Sequence, residues 1–218
     1  MTIVKICGVT TFNDARFAAQ AGADMLGLNF YPPSPRYLTP DRAATLAEEL
    51  RSKLGESCPV LVGVFANEKI ETIQAIIDQV GLDLAQLSGD EPLSDIEMLG
   101  ERGFKAIRPQ SVVHAVELAK NFLPHAPQDD RFPALLLDAY HPSLYGGTGH
   151  QASNEVIEAV TALTSRLMLA GGLNPENVKE RVQATQAWGV DVASGVEGET
   201  KGIKDKEAVK KFIQEAKS

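Results

Sequence analysis

A thiol and a carboxyl group each follow an apolar run that is typical of a buried strand. Cys7 closes the run Ile3–Cys7, in which Lys5 alternates with apolar residues, and Asp138 directly follows three leucines. Two such groups, presented from the ends of two strands, can move protons across a small substrate. We therefore treat Cys7 as a candidate base and Asp138 as a candidate acid. The alternatives are a small buried hydrophobic residue and a turn-capping carboxylate.

The two proposed roles require opposite protonation states at one pH. The leucines before Asp138 predict a desolvated carboxyl group that holds its proton more strongly than in water. Lys5 and Arg36 are cations expected near Cys7, and nearby phosphate-binding N–H groups would add to their effect. The sequence therefore predicts a protonated Asp138 and an ionised Cys7.

Two loops late in the chain are typical of phosphate binding. Gly171 and Gly172 precede a predicted helix start at Asn174, and Ser194 and Gly195 follow another predicted strand. Glycine lets backbone N–H groups approach an oxyanion, and a helix start favours negative charge. The alternative is that these glycines only allow tight turns. The presence of both loops favours phosphate binding.

Arg36 lies in the proline-rich segment Tyr31–Tyr37, which is incompatible with a helix or a central strand. Its planar guanidinium suits a bidentate contact with a carboxylate. A surface ion pair with Asp41 is the alternative. The segment Gly146–Gly149 lacks the Lys-Ser/Thr of a P-loop, so we interpret it as part of a lid over the site.

Runs typical of strands alternate with runs typical of helices along the whole chain. The predicted strands are Ile3–Cys7, Met25–Phe30, Val60–Phe65, Leu82–Leu87, Phe104–Ile107, Ala134–Leu137, Leu167–Ala170 and Val190–Ala193. The predicted helices are Thr11–Ala21, Asp41–Leu54, Glu68–Val80, Ser94–Gly100, Val112–Phe122, Glu155–Leu163, Asn174–Ala184 and Lys204–Ala216.

This alternation implies parallel strands joined by right-handed crossovers, and eight units predict a closed (β/α)8 TIM barrel. An open doubly wound sheet would usually show an early Gly-x-Gly-x-x-Gly, which is absent. Barrel chemistry lies on the loops after the carboxyl ends of the strands, where the candidate residues fall. A chain of 218 residues is long enough for one barrel. We expect residues 1–218 to form a single domain.

The amino-acid composition limits the classes of ligand and partner that the protein can bind. The chain has 44% hydrophobic and 23% charged residues, as in ordinary globular proteins. Its net charge of -8 argues against nucleic-acid or membrane-surface partners, although backbone N–H groups can still bind an anionic substrate. Two cysteines and four scattered histidines leave metal-ligand spacings unfilled. With no leader and no long apolar run, the sequence predicts a metal-free cytoplasmic protein.

Seven segments appear in the order typical of one enzyme family. They are Lys5–Gly8, Phe30–Tyr37, Gln86–Glu91, Leu137-Asp138, Gly146–Gly149, Ala170–Leu173 and Gly189–Glu197. The chain resembles the phosphoribosylanthranilate isomerases of tryptophan biosynthesis through these segments. Any one of them is weak evidence, but the ordered set covers almost the whole chain and is highly specific.

The resemblance implies a cofactor-free Amadori rearrangement on a single (β/α)8 barrel. N-(5-phosphoribosyl)anthranilate, an aminoaldose, would become the aminoketose 1-(2-carboxyphenylamino)-1-deoxyribulose 5-phosphate. Asp138 would protonate the furanose ring oxygen, and Cys7 would remove the C2 proton. Substrate binding would fall to Arg36 for the anthranilate carboxylate, Gly171, Gly172, Ser194 and Gly195 for the phosphate, and Asp191 for the sugar hydroxyls.

Two segments depart from the family pattern. Ser88 stands where the family usually has His, and His150–Asn154 replaces an aromatic-Asp-Trp segment after the glycine-rich loop. We expect the first change to alter water or hydroxyl contacts in the barrel mouth. We expect the second to alter lid packing and the rate of product release. Neither touches the proposed acid or base.

Other functions stay open on the sequence alone. Another sugar-phosphate isomerase or epimerase, or the indole-forming synthase, would use the same barrel. A metal-dependent epimerase needs histidines at strand ends, and the synthase needs lysines there; both are missing apart from Lys5. A non-catalytic protein would bind phosphate ligands without turnover, which the presence of both Cys7 and Asp138 disfavours. Both a monomer and a homodimer are compatible with the sequence.

Overall fold

The computed structural model of the protein describes residues 1–138 and 152–218. Its centre is a closed barrel of parallel strands, in which each strand pairs with the next and β8 pairs with β1. The strands are β1 (Ile3–Cys7), β2 (Met25–Asn29), β3 (Val60–Phe65), β4 (Leu84–Leu87), β5 (Gly103–Ile107), β6 (Leu135–Leu137), β7 (Leu167–Leu169) and β8 (Gly189–Val192). The predicted (β/α)8 barrel is confirmed.

A helix follows each strand and packs on the outside of the barrel. The helices are α1 (Phe12–Ala21), α2 (Pro40–Leu54), α3 (Ile70–Val80), α4 (Leu93–Leu99), α5 (Val112–Phe122), α6 (Asn154–Thr161), α7 (Val178–Thr185) and α8 (Lys206–Ala216). No helix in the described ranges is long and apolar enough to cross a membrane. The predicted lid, Gly146–Gly149, lies outside the described residues, as do His150 and Gln151.

The predicted element ends agree with the structure to within two residues, except at the start of α7. This helix begins at Val178 instead of Asn174. The Asn174 side chain accepts a hydrogen bond from the Asn177 N–H at 3.1 Å, and the Asn177 side chain accepts one from the Asn174 N–H at 2.9 Å. Such side-chain bonds offer the backbone an alternative to the helix. A turn closed by the hydrogen bonds between Asn174 and Asn177 therefore separates Gly172 from the start of α7.

The two-residue period of the strands separates the barrel interior from the helix layer. An apolar cluster fills the interior with Met25, Val62, Leu84, Phe104, Ala106, Leu136 and Met168. The next inward positions toward the carboxyl ends are more polar, with Gln86 two residues after Leu84 and Asp138 two residues after Leu136. The apolar layer therefore forms the floor of a polar mouth.

Candidate active site

One cavity at the carboxyl ends of the strands encloses about 910 Å³, including space open to solvent. The predicted site residues all line it, namely Cys7, Arg36, Asp138, Gly171, Gly172, Asp191, Ser194 and Gly195. They come from widely separated parts of the sequence, and closure of the barrel brings them together. The structure thus supports their proximity, while their individual roles stay predictions.

Cys7 has a charged neighbour on its own strand face. Lys5, two residues earlier, is fully buried and donates hydrogen bonds to Asp191 Oδ1 at 3.0 Å and Gln86 Oε1 at 2.8 Å. Burial disfavours the Lys5 cation, but Asp191 and Cys7 outweigh this effect, so the pKa of Lys5 is raised. Lys5 is therefore stabilised in its protonated, positively charged form beside the thiol.

Burial is the largest influence on the Cys7 thiol and raises its pKa, and the negative charge of Asp191 raises it further. Lys5 and Lys204 act in the opposite direction but do not reverse the shift. The direction of this pKa shift disfavours the ionised Cys7 of the sequence prediction before a ligand binds, and its role as base stays a prediction. The cationic neighbours exist, but burial and the charge of Asp191 together outweigh them.

Asp138 faces the same cavity from another part of the barrel wall. It follows β6 directly, is half-buried, and its backbone N–H donates to the Ile107 carbonyl at 3.0 Å. Its strand and that of Cys7 are not neighbours in the barrel. A small ligand in the cavity can therefore meet the thiol and the carboxyl group from different directions.

The loops after β7 and β8 pack directly against each other. Gly171 and Gly172 have φ values of 86° and 62°, in the left-handed region that favours glycine. A Cβ atom at Gly195 would collide with the Leu173 carbonyl oxygen. Asn177 holds the first loop by donating to the Gly172 carbonyl at 2.9 Å. The backbone of both loops lines the cavity, as oxyanion binding requires.

Arg36 makes a bidentate ion pair within the protein. Its Nε donates to Glu197 Oε1 at 2.6 Å, and its Nη2 donates to Glu197 Oε2 at 2.8 Å. The alternative of a pair with Asp41 is wrong, because Asp41 instead accepts a hydrogen bond from Gln79 at 2.7 Å. The methylene groups of Arg36 pack directly on Gly8, where a Cβ atom would collide with Arg36 Cδ.

Lys204 completes this ion pair. Its Nζ donates to Glu197 Oε1 at 3.2 Å and to the Ala193 carbonyl at 2.9 Å. Burial raises the pKa of Glu197, but Arg36 and Lys204 outweigh it, and the pKa is lowered overall. Burial is the dominant influence on Lys204 and lowers its pKa. We call Arg36, Glu197 and Lys204 the carboxylate-side cluster.

Ser88, the departure from the family pattern, also lines the cavity. Its Oγ accepts a hydrogen bond from Gln86 Nε2 at 2.9 Å. Gln86 in turn accepts from Lys5, so a line of hydrogen bonds runs from Ser88 to Asp191 through the barrel interior. Ser88 is thus positioned to change polar contacts in the mouth, and its effect on the ligand stays a prediction.

Sequence reasoning missed four polar residues of this site: Lys5 as a partner of Asp191, Gln86, Glu197 and Lys204. The two-residue period connects Lys5 to Cys7 and Gln86 to Ser88, so this pattern predicts their inward orientation. An isolated antiparallel backbone bridge after β8 pairs Glu197 with Lys204. The sequence carries no local pattern that predicts this bridge.

Within residues 1–138 and 152–218, no group of three or more His, Cys, Asp or Glu side chains is arranged to hold a metal ion.

Comparison with known proteins identifies the family. A sequence model of N-(5'phosphoribosyl)anthranilate (PRA) isomerase matches residues 4–215, nearly the whole chain. The chain belongs to the PRA isomerase family. The protein is by family an isomerase, as the resemblance predicts. The PRA isomerase of Myxococcus xanthus is 43% identical over 218 residues, which cover 99% of this chain and 96% of the relative.

Solved PRA isomerases share the architecture. The Thermotoga maritima enzyme has a TM-score of 0.85 and 35% identity, covering 100% of this chain and 99% of its own. A PRA isomerase in complex with reduced 1-(o-carboxyphenylamino)-1-deoxyribulose 5-phosphate has a TM-score of 0.79 and 33% identity, with the same coverage. Another structure, of monomers generated from the dimeric Thermotoga maritima enzyme, has a TM-score of 0.78 and 33% identity, again covering 100% and 99%.

Proposed function

We propose that the protein converts N-(5-phosphoribosyl)anthranilate to 1-(2-carboxyphenylamino)-1-deoxyribulose 5-phosphate in tryptophan biosynthesis, without a cofactor. The observation that carries the proposal is the shared cavity of Cys7, Asp138 and Arg36 with the loops after β7 and β8. A proton acceptor, a proton donor and groups suited to two anions face one space. This matches a substrate with a carboxylate at one end and a phosphate at the other.

The first step opens the sugar ring. Asp138 donates its proton to the furanose ring oxygen while the bond between C1 and that oxygen breaks. The lone pair of the amine nitrogen forms the C1=N bond of a Schiff base and replaces the electron pair that leaves C1 with the ring oxygen. The position of Asp138 on the cavity wall, directly beyond the buried β6, supports this role.

The second step moves a proton from C2. The Cys7 thiolate takes the C2 proton, and the C–H electrons form a C1=C2 double bond as the C=N bond becomes an amine. The resulting enolamine gains a proton at C1 and loses the C2 hydroxyl proton, which gives the ketone. Lys5 and Lys204 favour the thiolate electrostatically, although burial keeps its pKa raised before the ligand binds.

Substrate binding is assigned to the remaining residues of the cavity. Arg36 holds the anthranilate carboxylate through one edge of its guanidinium group. Asp191 orients sugar hydroxyls beside Cys7. The phosphate lies against the backbone of the loops that meet at Leu173 and Gly195, where glycine allows close approach. Gly171, Gly172, Ser194 and Gly195 together form this phosphate site.

The relatives support the same partner class. The family member bound to a reduced carboxyphenylamino sugar phosphate supports a small-molecule substrate of this chemistry. The dimeric Thermotoga maritima enzyme supports a homodimer as one of the two oligomeric states that the sequence allows. A cytoplasmic location stays a prediction.

The proposal is tested with protein dialysed against a chelator and freshly generated N-(5-phosphoribosyl)anthranilate. Consumption is followed by the fluorescence of the anthranilate group, and the product is separated chromatographically. We expect the aminoketose as product, with no added metal or cofactor. Binding without conversion, or release of free anthranilate by hydrolysis alone, would contradict the proposed function.

A further inference from the structure

A guanidinium group has two edges that each match a carboxylate. One edge consists of Nε and one Nη atom, and the other of the two terminal Nη atoms. In Arg36 the first edge is fully used, since Nε and Nη2 both donate to Glu197. The second edge, Nη1 with the remaining N–H of Nη2, makes no hydrogen bond to any residue in the described part of the chain. Arg36 lines the cavity.

Glu197 is well placed to fix the orientation of Arg36. Its side chain is 5% exposed, and that of Arg36 is 13% exposed. Glu197 also accepts a hydrogen bond from Lys204, which donates to the Ala193 carbonyl at the start of the loop after β8. Gly8 gives the Arg36 stem its path, because any larger residue would collide with it. The position of the guanidinium is therefore fixed both by packing of the Arg36 methylene groups on Gly8 and by the hydrogen bonds to Glu197.

The charges of the carboxylate-side cluster favour an additional anion. Arg36 and Glu197 neutralise each other, and Lys204 in its protonated form leaves one net positive charge on the cluster. A second carboxylate on the terminal edge of Arg36 would balance that charge. Without Lys204, Glu197 would cancel the attraction of Arg36 for a ligand.

We propose that Glu197 is a positioning residue that makes the cavity selective for an aromatic amine carrying an ortho carboxylate. It does so by occupying one edge of Arg36 and directing the other toward the ligand. The inference rests on the proposed function for the identity of the ligand. It differs from that function in assigning selectivity to a residue that does not itself touch the substrate.

The test measures binding instead of turnover. The probes are reduced 1-(o-carboxyphenylamino)-1-deoxyribulose 5-phosphate and the matching reduced compound made from aniline, which lacks the carboxylate. Dissociation constants are compared for the parent, Glu197→Gln and Arg36→Lys. Asp78→Asn, which alters an exposed ion pair with Arg102, serves as the control.

We expect the parent and the control to prefer the carboxylated probe strongly. Glu197→Gln should reduce that preference about tenfold, on the scale of one charge-assisted hydrogen bond, with little change for the aniline compound. Arg36→Lys should reduce it similarly, because an ammonium has no second edge. The lysine variant leaves Glu197 in place and tests the same geometry if Glu197→Gln does not fold.

Two results would overturn the inference. One is an equal loss of affinity for both probes in Glu197→Gln, which would mean that Glu197 only supports the fold. The other is an unchanged or increased preference in Glu197→Gln, whose lost carboxylate also adds net positive charge to the cluster, or an unchanged preference in Arg36→Lys. Failure of the proposed function would look different, since the parent would then bind the probes without converting the substrate.

Discussion

At the scale of single residues, Cys7 is subject to opposing influences. Burial and Asp191 raise the pKa of its thiol, while Lys5 and Lys204 lower it. These charged groups come from β1, from β8 and from the segment before α8, so the thiol is enclosed by charges that compensate one another. Deprotonation of Cys7 should therefore depend on each of these charges.

Replacing Asp191 by Asn removes a negative charge beside Cys7. The pKa of the thiol should fall, because the thiolate no longer faces a like charge, and the thiolate should form at lower pH. The measurement is the rate of Cys7 alkylation by iodoacetamide against pH, followed by peptide mass spectrometry. Cys58, which does not line the cavity, provides an internal reference in every sample.

Replacing Lys5 by Met should have the opposite effect. Loss of the buried cation removes an attraction for the thiolate, so the alkylation midpoint of Cys7 should move to higher pH. If both Asp191→Asn and Lys5→Met left the Cys7 midpoint unchanged, the charges of Asp191 and Lys5 would not control the protonation of Cys7.

At the scale of elements, the contact between the loops after β7 and β8 shapes the phosphate site. Gly195→Ala would drive a Cβ atom into the Leu173 carbonyl and move the loops apart. We expect the KM for the substrate to rise about tenfold or more, because displacement of a binding group by about 1 Å is costly. Gly198→Ala, where a Cβ atom meets nothing within 4 Å, should change KM little. Equal KM values in both variants would contradict this loop contact.

A buried ion pair holds the loop after β4 onto β5. Lys105 Nζ donates to Glu91 Oε2 at 2.7 Å and to the Gly89 carbonyl at 2.7 Å, and both side chains are almost inaccessible. Glu91→Gln should lower the free energy of unfolding by about 3 kcal/mol, because the Lys105 cation stays buried without its counter-charge.

Urea unfolding measures this cost. The exposed pair of Arg102 and Asp78 is the matched comparison, and Asp78→Asn should cost less than about 1 kcal/mol. A double variant, Lys105→Met with Glu91→Leu, should recover much of the lost stability, since no isolated charge remains. Similar losses in the free energy of unfolding for Glu91→Gln and Asp78→Asn would show that the buried pair contributes no more to stability than the exposed one.

At the scale of the whole molecule, the two ends of the chain meet. Pairing of β8 with β1 closes the barrel, and Lys217 after α8 donates to the Gly22 carbonyl at 2.8 Å. We therefore propose that residues 1–218 form one domain. Urea transitions followed by Trp188 fluorescence and by far-ultraviolet circular dichroism should coincide. Separate transitions would contradict a single cooperative domain.

The barrel was predictable because its pattern repeats. Alternating apolar strands and helices, each bounded by turn residues, predict parallel strands and hence the edge on which Cys7 and Asp138 meet. The Cys7 protonation state was not predictable, because desolvation depends on the burial of the whole mouth. Glu197 was missed as a partner of Arg36, since their pairing across 161 positions has no local pattern.

Cys7 is the proposed base of the reaction and Asp138 its proposed acid. The most direct measurement is the turnover of freshly generated N-(5-phosphoribosyl)anthranilate by Cys7→Ser and Asp138→Asn, beside Cys58→Ser and Asp78→Asn as controls. Each site variant should lose about 10²- to 10⁴-fold in kcat, with similar affinity for the reduced product analogue, and each control should match the parent. If either site variant kept kcat within a few-fold of the parent, that residue would not be the proposed proton donor or acceptor.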